Sequence, residues 1–483
     1  MELEKEENSL HLTDSSYING YSHTVLTDKE KVALACLLAL GGLCSSICMP
    51  IYWTALPELA RDFNTTQSKI NYTVTAYLCF QAVSPIFISS LSDVWGRRPT
   101  MIICLIGGIA VNIATACTKS YGVLIFLRCL LATFLASLVS ITAAAVGDFT
   151  TRKNRGGLSS ITYGFTLIGQ GIAPFLGSVV DTAWEWPAIF WFSAALDAFV
   201  LILLFVLCPE TNRVFVGNMS VIPKSWIHRS PILYYFKDRI VPYDENLLKT
   251  FGAKTEIYNP WKALALIKKI PVLIILLPCA IQFAAWTISQ TSMSIHLQEN
   301  YHYSALHVGI CFFSPGFATV VGTLTAGQIL DISYSKFKEK YNNNDQNLNK
   351  PFNYIKARIM LIPIFSIVMI GSIIAFGWCL QNQIHLAVIL IFSFLLTFAA
   401  MYPLSVVGTL LVDMYPTMSG GATALNNLFR CGVSAIFVSC LDYMENKLTI
   451  GGTYTLMGAI IAIGTISTVW LIIISGRIIE HDY

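Results

Sequence analysis

Two ionisable side chains lie inside long apolar stretches of this sequence, Arg128 in YGVLIFLRCLLATFL and Asp197 in FSAALDAFVLILL. An arginine in a membrane-like medium costs roughly 2.5 kcal/mol or more unless it faces a cavity or a partner. A buried carboxyl group can bind and release protons. We therefore predict that Arg128 and Asp197 couple the protein to protons. The alternatives are an Arg128 that reaches the outer membrane interface and an Asp197 that is only a structural partner for an arginine or an amide.

A second set of polar side chains within apolar stretches has the chemistry to bind a small molecule. Its members are Gln81, Gln170, Gln282, Gln290, Asn426, Asn427 and Arg430. Trp286 lies four residues from both Gln282 and Gln290, so it shares their helix face and offers an aromatic wall to a cationic molecule. Two alternatives stay open, namely amides that only join neighbouring helices and a tryptophan at the lipid interface.

The usual signatures of enzymes and of nucleotide or metal sites do not occur in the sequence. It contains no GxxxxGK[ST], HExxH or GxSxG pattern and no cluster of His and Cys ligands. The 13 cysteines lie mostly in apolar runs, without CxxC spacing. A net charge of +3 without a basic stripe gives no indication of nucleic-acid binding. We expect no catalytic residue, no metal or other cofactor, and no nucleic acid as a partner.

The elements that position these residues are membrane-spanning helices. The 483-residue chain is 55% hydrophobic and 12% charged, whereas about a quarter of a soluble protein is charged. A helix needs about 20 mostly apolar residues to cross a bilayer. The sequence therefore predicts an all-α membrane protein with 12 transmembrane helices. We number them spans one to twelve, near 32–56, 70–92, 99–118, 122–146, 158–181, 187–208, 271–295, 305–330, 357–380, 385–409, 419–441 and 453–476.

The positive charges between the spans indicate their orientation, because lysine and arginine accumulate on the cytoplasmic side. With both termini in the cytoplasm, the short inner segments carry 15 Lys and Arg, against four on the outer side. Both termini are therefore predicted to be cytoplasmic. The sequon at Asn64 then lies outside and is a candidate for glycosylation, whereas the sequon at Asn218 lies inside.

The charged ends of several spans repeat along the chain. Asp93 at the end of span two is matched by Asp331 after span eight, and Asp148 after span four is matched by Asp413 after span ten. Two parallel six-helix halves around a midplane site would produce this repetition. We predict two pseudo-symmetric halves, a cytoplasmic central loop with an amphipathic helix near 259–269, and two cytoplasmic tails. Their boundaries are 1–31 for the N-tail, 32–208 and 271–476 for the halves, 209–270 for the loop and 477–483 for the C-tail.

The run SSLSDVWGRRP resembles the cytoplasmic signature of the major facilitator superfamily, G-x-x-x-D-R/K-x-G-R/K-R/K. Its first glycine and first basic residue are replaced here. The resemblance implies that Asp93 anchors the turn against the N-terminal end of span eleven at 419–421, where a helix N-terminus favours a carboxylate. We predict a conformational gate formed by Asp93, Gly96, Arg97, Arg98, Asp148 and Asp331.

Span five resembles the antiporter signature G-x-x-x-G-P-x-x-G-G of the same superfamily, with matches at Gly169, Pro174 and Gly177. Small residues let helices approach closely and proline kinks a helix, so ordinary close packing is the alternative. Arg128 corresponds to an intramembrane arginine of the family. The Gln-Gly pair that usually follows it is Leu131 and Ala132 here.

Further stretches, above all PETNRVFVGNMS after span six, resemble the fungal twelve-span drug:H⁺ antiporters, and the quinidine-resistance subgroup in particular. This implies a plasma-membrane exporter of drugs, weak organic acids, amino acids or cations that exchanges its substrate for protons and works as a monomer. An uncoupled facilitator or importer of the same fold, and a membrane sensor that transports nothing, are the alternatives. A membrane enzyme is the weakest hypothesis, because no catalytic cluster is found.

Overall fold

A computed structural model of the chain describes residues 17–18, 21–22, 24–150, 152–234, 241, 243, 248, 261–342, 353–415 and 419–482. Helices dominate these residues. A two-residue hairpin, Tyr17–Ile18 paired antiparallel with Tyr21–Ser22, precedes the first span and departs from the purely helical expectation.

Span one begins earlier and is more segmented than its apolar stretch indicates. It starts at Asp28 after a capping box, in which the backbone N–H of Thr27 donates to the Glu30 carboxylate at 2.7 Å. The helix Asp28–Ile47 continues through a 3₁₀ helix, Pro50–Ala55, into the short helix Leu56–Asp62. The chain thus stays helical beyond the predicted end at residue 56.

The remaining spans of the N-terminal half follow in order, and span four is divided at Ala136. Their bounds are Gln67–Trp95 for span two, Arg97–Ala116 for span three, Tyr121–Leu135 and Ser137–Phe149 for span four, Arg152–Trp184 for span five and Pro187–Leu207 for span six.

The C-terminal half contains six further crossings. Their bounds are Ile270–Glu299 for span seven, Ala305–Cys311 and Phe313–Asn342 for span eight, Tyr354–Ile359 and Ile362–Gln381 for span nine, Leu386–Met414 for span ten, and Ser419–Asp482 for spans eleven and twelve. The last two spans are separated only at Thr449, whose backbone is non-helical (φ 66°, ψ 170°). The loop expected between them is therefore a kink at one residue.

Among the described residues, ten helical segments are long and apolar enough to cross a membrane, and Gly421–Ser475 counts once although it crosses twice. Span five, Arg152–Trp184, completes the set of twelve. Large apolar side chains on the bundle surface suit a lipid environment, such as Ile202, 63% exposed, and Ile473, 73% exposed. The predicted 12-helix fold is confirmed.

The central loop is helical where the amphipathic helix was expected. The helix Trp261–Leu264 and a 3₁₀ helix, Ala265–Lys268, lead into span seven, whereas residues 259 and 260 lie outside the described part of the chain. Trp261 is 65% exposed and its ring meets Phe87 of span two edge-on, with centroids 6.2 Å apart.

Candidate functional site

Arg128 is fully buried within the N-terminal half. Its guanidinium lies between two aromatic rings, 4.2 Å from the centroid of Tyr52 and 4.6 Å from that of Tyr77. One nitrogen, Nη1, donates to the carbonyl of Cys48 at 3.3 Å. Because the whole residue is 0% exposed, the alternative of an arginine that reaches the outer interface does not hold.

Asp197 is also buried, on span six, and its carboxylate accepts a hydrogen bond of 2.9 Å from Asn112 Nδ2 of span three. The thiol of Cys44 on span one is a second hydrogen-bonding neighbour. Cys48, one turn further along span one, lies within electrostatic range of both Asp197 and Arg128. The acid Asp197 and the cation Arg128 therefore both lie near the turn of span one that runs from Cys44 to Cys48, and in a medium of low dielectric a charge change on one affects the other.

Aromatic side chains from both halves meet where span one faces span seven. Trp53 of the N-terminal half contacts Trp286 edge-on, with ring centroids 6.0 Å apart, and stacks on Phe312 of span eight at 6.1 Å. Phe283, one turn before Trp286, carries the Arg430 guanidinium on its face at 4.3 Å. Trp286 thus lies where side chains of the two halves meet.

Amides of spans two and eleven extend this site. Asn427 Nδ2 donates to the backbone carbonyl of Gln81 at 2.6 Å, and its side-chain oxygen accepts from Cys431. Asn426 is buried one residue earlier on the same span. Together these side chains form what we call the central site, which consists of Trp53, Gln81, Phe283, Trp286, Phe312, Asn426, Asn427 and Arg430.

The three remaining predicted substrate contacts stay a prediction, and two of them donate hydrogen bonds within the C-terminal half. Gln282 donates to Ser366 of span nine at 2.8 Å, and Gln290 donates to Thr397 of span ten at 3.4 Å. Both amides therefore join helices within the C-terminal half, as the packing alternative expects. Gln170 of span five is half-buried, beside the close approach of spans five and eight.

The turn between spans two and three is held by charges within its own half. Arg97 bridges the two carboxylates of Asp93 and Asp148, and its Nε lies 3.1 Å from Asp148 Oδ2. Gly96 at the turn has φ +103°, a conformation that favours glycine. Arg98 donates to three carbonyls at and after the end of span six, those of Phe205, Cys208 and Ile227.

Glu210, which the sequence interpretation passed over, holds this turn from the other side. Its carboxylate accepts from the backbone N–H groups of Arg97 and Arg98, at 2.9 and 3.3 Å, and from those of Thr211 and Asn212, both at 3.0 Å. Span three thus begins on a carboxylate supplied by the PETNR run. Burial raises the pKa of the Glu210 carboxyl above its usual value.

The partner that the resemblance implied for Asp93, the start of span eleven, lies largely outside the described part of the chain. The described partners of Asp93 are Arg97 and Asn212 Nδ2, which donates to the Asp93 carbonyl at 2.8 Å. The side chains at 419 and 420, and that of Asp331, lie outside the described part of the chain. The expected latch between Asp93 and span eleven therefore stays a prediction.

The halves contact each other on the side opposite both termini. Ser294 Oγ donates to the Trp53 carbonyl at 2.8 Å, and Asn71 Nδ2 donates to Asp442 Oδ1 at 3.0 Å. Gln298 Nε2 donates to the carbonyl of Thr54 at 2.9 Å. These contacts join the two halves on that side.

The small residues of span five allow two close helix contacts. A Cβ on Gly177 would collide with the carbonyl oxygen of Ile51, and one on Gly169 would collide with Ser46 Oγ, so both glycines fit span five against span one. A Cβ on Gly171 would lie 2.8 Å from the Cα of Gly316 on span eight. Pro174 lies inside the same helix. The signature region thus contacts both halves at once.

The twelve spans form two halves that meet over a buried polar and aromatic site, and a charged turn lies at one end of the bundle. These features define the class of the protein as a secondary membrane transporter. The sequence profile of the Major Facilitator Superfamily matches residues 38–439. The chain belongs to this superfamily.

Similar proteins narrow the family further. The chain is 36% identical to the "MFS antiporter QDR2" of Candida albicans over 444 residues, 90% of this chain and 87% of that protein. It is 33% identical to the "Probable transporter AQR1" of Saccharomyces cerevisiae over 448 residues, 91% of this chain and 76% of that protein.

The fold also has solved neighbours. A structure of the xylose transporter XylE from E. coli, in a partially occluded inward-open conformation, has a TM-score of 0.64 to this chain at 14% sequence identity. It covers 92% of this chain and 97% of its own, and this similarity concerns the fold alone.

Proposed function

We propose that this protein exports small molecules across the plasma membrane in exchange for protons, by rocking of its two halves around the central site. The observation that carries the proposal is the position of the site, because Trp53 and Gln81 of one half meet Trp286 and Asn427 of the other there. A ligand bound between the halves is released to one side when the contacts on that side separate. Relatives named as antiporters support the same activity.

The proton step is assigned to the buried pair in the N-terminal half. When the outer side opens, Asp197 takes up a proton from outside. The charge balance around Cys48 and Arg128 then changes, because Cys48 lies within electrostatic range of both Asp197 and Arg128. Release of that proton to the cytoplasm follows after the outer contacts close. One proton that enters down roughly 100 mV supplies about 2.3 kcal/mol.

This driving force is sufficient for useful export. A pH difference of one unit adds about 1.4 kcal/mol to the electrical contribution. Together they sustain a gradient of roughly 500-fold for a neutral substrate exchanged one for one, at about 1.4 kcal/mol per tenfold.

The gate around Asp93, Arg97 and Asp148 holds the cytoplasmic ends of spans two, three and four together as the halves move. We further propose that a monomer is sufficient, since the central site is built from one chain.

The experiment is uptake into inside-out membrane vesicles whose lumen is acidified, with a panel of cationic drugs, weak acids and amino acids. The proposal predicts that at least one substrate accumulates, and that a protonophore abolishes this accumulation. Vesicles that contain the Asp197→Asn variant should accumulate little. Vesicles that contain Asp28→Asn, an exposed acid at the first residue of span one, should behave as wild type. Accumulation that persists after the proton gradient collapses would indicate an uncoupled facilitator instead.

A further inference from the structure

A histidine and an acid meet at the outer end of the C-terminal half, away from the central site. His296 of span seven lies 3.1 Å from Glu445 of span eleven, measured from Nε2 to Oε2. The other carboxylate oxygen, Oε1, accepts a hydrogen bond of 2.6 Å from Ser292 Oγ. The side chains of His296 and Glu445 are only 13% and 14% exposed. The proposed transport steps do not use this pair, although a histidine readily changes its charge between about pH 5 and 8.

Both nitrogens of the His296 ring have a partner that suits two protonation states. Nδ1 lies 3.3 Å from Asn300 Nδ2, which donates to it when the ring is neutral and Nε2 donates to Glu445. When the ring gains a proton, Nδ1 becomes a donor, and rotation of the Asn300 amide presents its oxygen instead. The pair can therefore gain and lose one proton without leaving a ring nitrogen unpaired.

The pair also joins the two helices that contact the N-terminal half on this side. Ser294 and Gln298, which flank His296 by two residues along span seven, donate to backbone carbonyls of the N-terminal half. Asp442, three residues before Glu445 on span eleven, accepts a hydrogen bond from span two. The pair therefore helps to set the spacing of spans seven and eleven, on which these contacts between the halves depend.

Other charges near this end of the bundle are exposed or have partners of their own. In the described part of the chain, His296 and Glu445 are each other's only ionic partner within 4.0 Å. The further ionisable groups on elements packed against this end are Glu58, Arg61 and Asp62 before span two, Glu299, His302 and His307 near the end of span seven, and Asp442, Lys447 and Tyr454 on spans eleven and twelve. Asp62 accepts from Trp186 Nε1, and the Tyr454 hydroxyl donates to the carbonyl of Ile288. A proton on this pair therefore acts mainly through the attraction between His296 and Glu445.

We propose that His296 and Glu445 form a proton-binding site on the outer side, separate from Asp197, whose occupancy favours contact between the two halves there. This rests on the proposed rocking of the halves and deepens it, but it does not depend on which substrate is carried. With the proton, the pair consists of two opposite charges, which attract strongly where water is scarce. Without it, a nearly buried carboxylate lies beside a neutral ring, which is costly.

The affinity of the pair for the proton differs between joined and separated halves. Separation removes the contacts of spans seven and eleven and lets water reach the pair, and water stabilises a carboxylate that has lost its charged partner. The joined arrangement therefore holds the proton more tightly. By linkage, acid in the outer medium favours contact between the halves, and this preference is lost as the outer pH rises.

Distances between the halves test this directly. Spin labels on unnatural amino acids replace Lys119 and Lys447, two exposed outer positions on opposite halves, so that the 13 native cysteines stay in place. Pulsed electron paramagnetic resonance on the full-length protein in nanodiscs, without substrate, gives the fractions of joined and separated halves. We expect the ratio of joined to separated halves to fall roughly fivefold or more between about pH 5 and 8.

Substitutions in the pair distinguish the proton site from a merely structural contact. His296→Gln and Glu445→Gln keep polar side chains but remove the charged pair, so their distances should not respond to pH in this range. His296→Arg keeps a positive charge and should favour joined halves at every pH tested. His302→Gln, at an exposed histidine in the turn after span seven, is the matched control and should respond like wild type.

Two results would overturn the proposal, namely a wild-type ratio that does not change with pH and a His296→Gln variant that responds as wild type does. Because no substrate is present, the outcome is independent of export. A pH response that depends on His296, in a protein that shows no proton-driven uptake in inside-out vesicles, would sustain the outer proton site and contradict the transport function.

Discussion

Glu210 accepts a hydrogen bond of 2.9 Å from the backbone N–H of Arg97, at the first residue of span three. The acid comes from the loop after span six and the arginine from the turn after span two, 113 residues apart. The same Arg97 binds Asp93 and Asp148 through its side chain. One residue thus joins the ends of spans two, three and four to the start of the central loop.

Loss of this carboxylate should destabilise the protein. In Glu210→Ala, four backbone N–H groups lose their acceptor in a buried place, so we expect a loss of about 2–4 kcal/mol. Glu210→Gln, which keeps one carbonyl oxygen, should lie between. Thermal unfolding in detergent measures the effect, and Glu339→Ala on the exposed end of span eight is the control. An unchanged melting temperature for Glu210→Ala would argue against the role of Glu210.

Neutral substitutes for the gate acids should slow the transport cycle. Asp93→Asn keeps the size of the side chain but removes the charge that Arg97 binds, and we expect a rate loss of roughly fivefold, equivalent to about 1 kcal/mol. Substrate affinity should stay near that of wild type, because the turn lies away from the central site. A variant that loses binding while its rate per bound substrate is unchanged would contradict the gate.

Closure of the outer side should depend on Gly171. A methyl group there meets the backbone of Gly316, so Gly171→Ala should disfavour the closed state by about 1–3 kcal/mol and reduce export. Cross-linking of an Asn71→Cys, Asp442→Cys pair, which reports outer contact, should fall in the Gly171→Ala background. Gly164→Ala on the same span meets nothing within 4 Å and serves as the control. Equal cross-linking in both backgrounds would show that this approach does not limit closure.

Arg128 should not tolerate replacement by lysine. The flat guanidinium lies between two tyrosine rings and reaches a backbone carbonyl, and a lysine ammonium cannot reproduce both contacts. We expect Arg128→Lys to lose roughly tenfold in proton-driven uptake. Arg61→Lys, on the exposed outer surface, should be silent. Full activity of Arg128→Lys would mean that only a positive charge is needed there.

Glycosylation reports the orientation of the chain. Asn64 is exposed in the turn between spans one and two, whereas Asn218 is 7% exposed and its side-chain oxygen accepts from Ser220. We expect Asn64→Gln to abolish the mobility shift on enzymatic deglycosylation in a eukaryotic host, and Asn218→Gln to have no effect. A shift that depends on Asn218 would reverse the orientation.

The spans and the buried charges could be predicted from the sequence because the membrane itself imposes them. An apolar helix of about 20 residues, and an arginine inside one, stand out from composition alone. Arg128 and Asp197 stand out in this way, whereas Trp286 is indicated by its helical spacing from Gln282 and Gln290. The break at Ala136 and the kink at Thr449 were not, since a local change of backbone angle leaves the apolar pattern intact.

Tertiary partners were less accessible to sequence reasoning. Helical spacing placed Gln282 and Gln290 on the face of Trp286, but it did not tell which neighbour each side chain meets, and both amides contact their own half. Glu210 lies outside the spans, where a single acid carries no periodic signal. The PETNR run did hold a clue, because membrane packing gives no reason for a Pro-Glu-Thr sequence after a span.

Proton movement driven by substrate is the most direct test of the central claim. Proteoliposomes that contain the protein and a pH-sensitive dye are given a substrate gradient but no initial pH difference. The account predicts that a substrate that flows out of the lumen draws protons in, and that Asp197→Asn abolishes the dye signal while Asp28→Asn keeps it. Substrate flux of normal rate without any proton movement would contradict antiport.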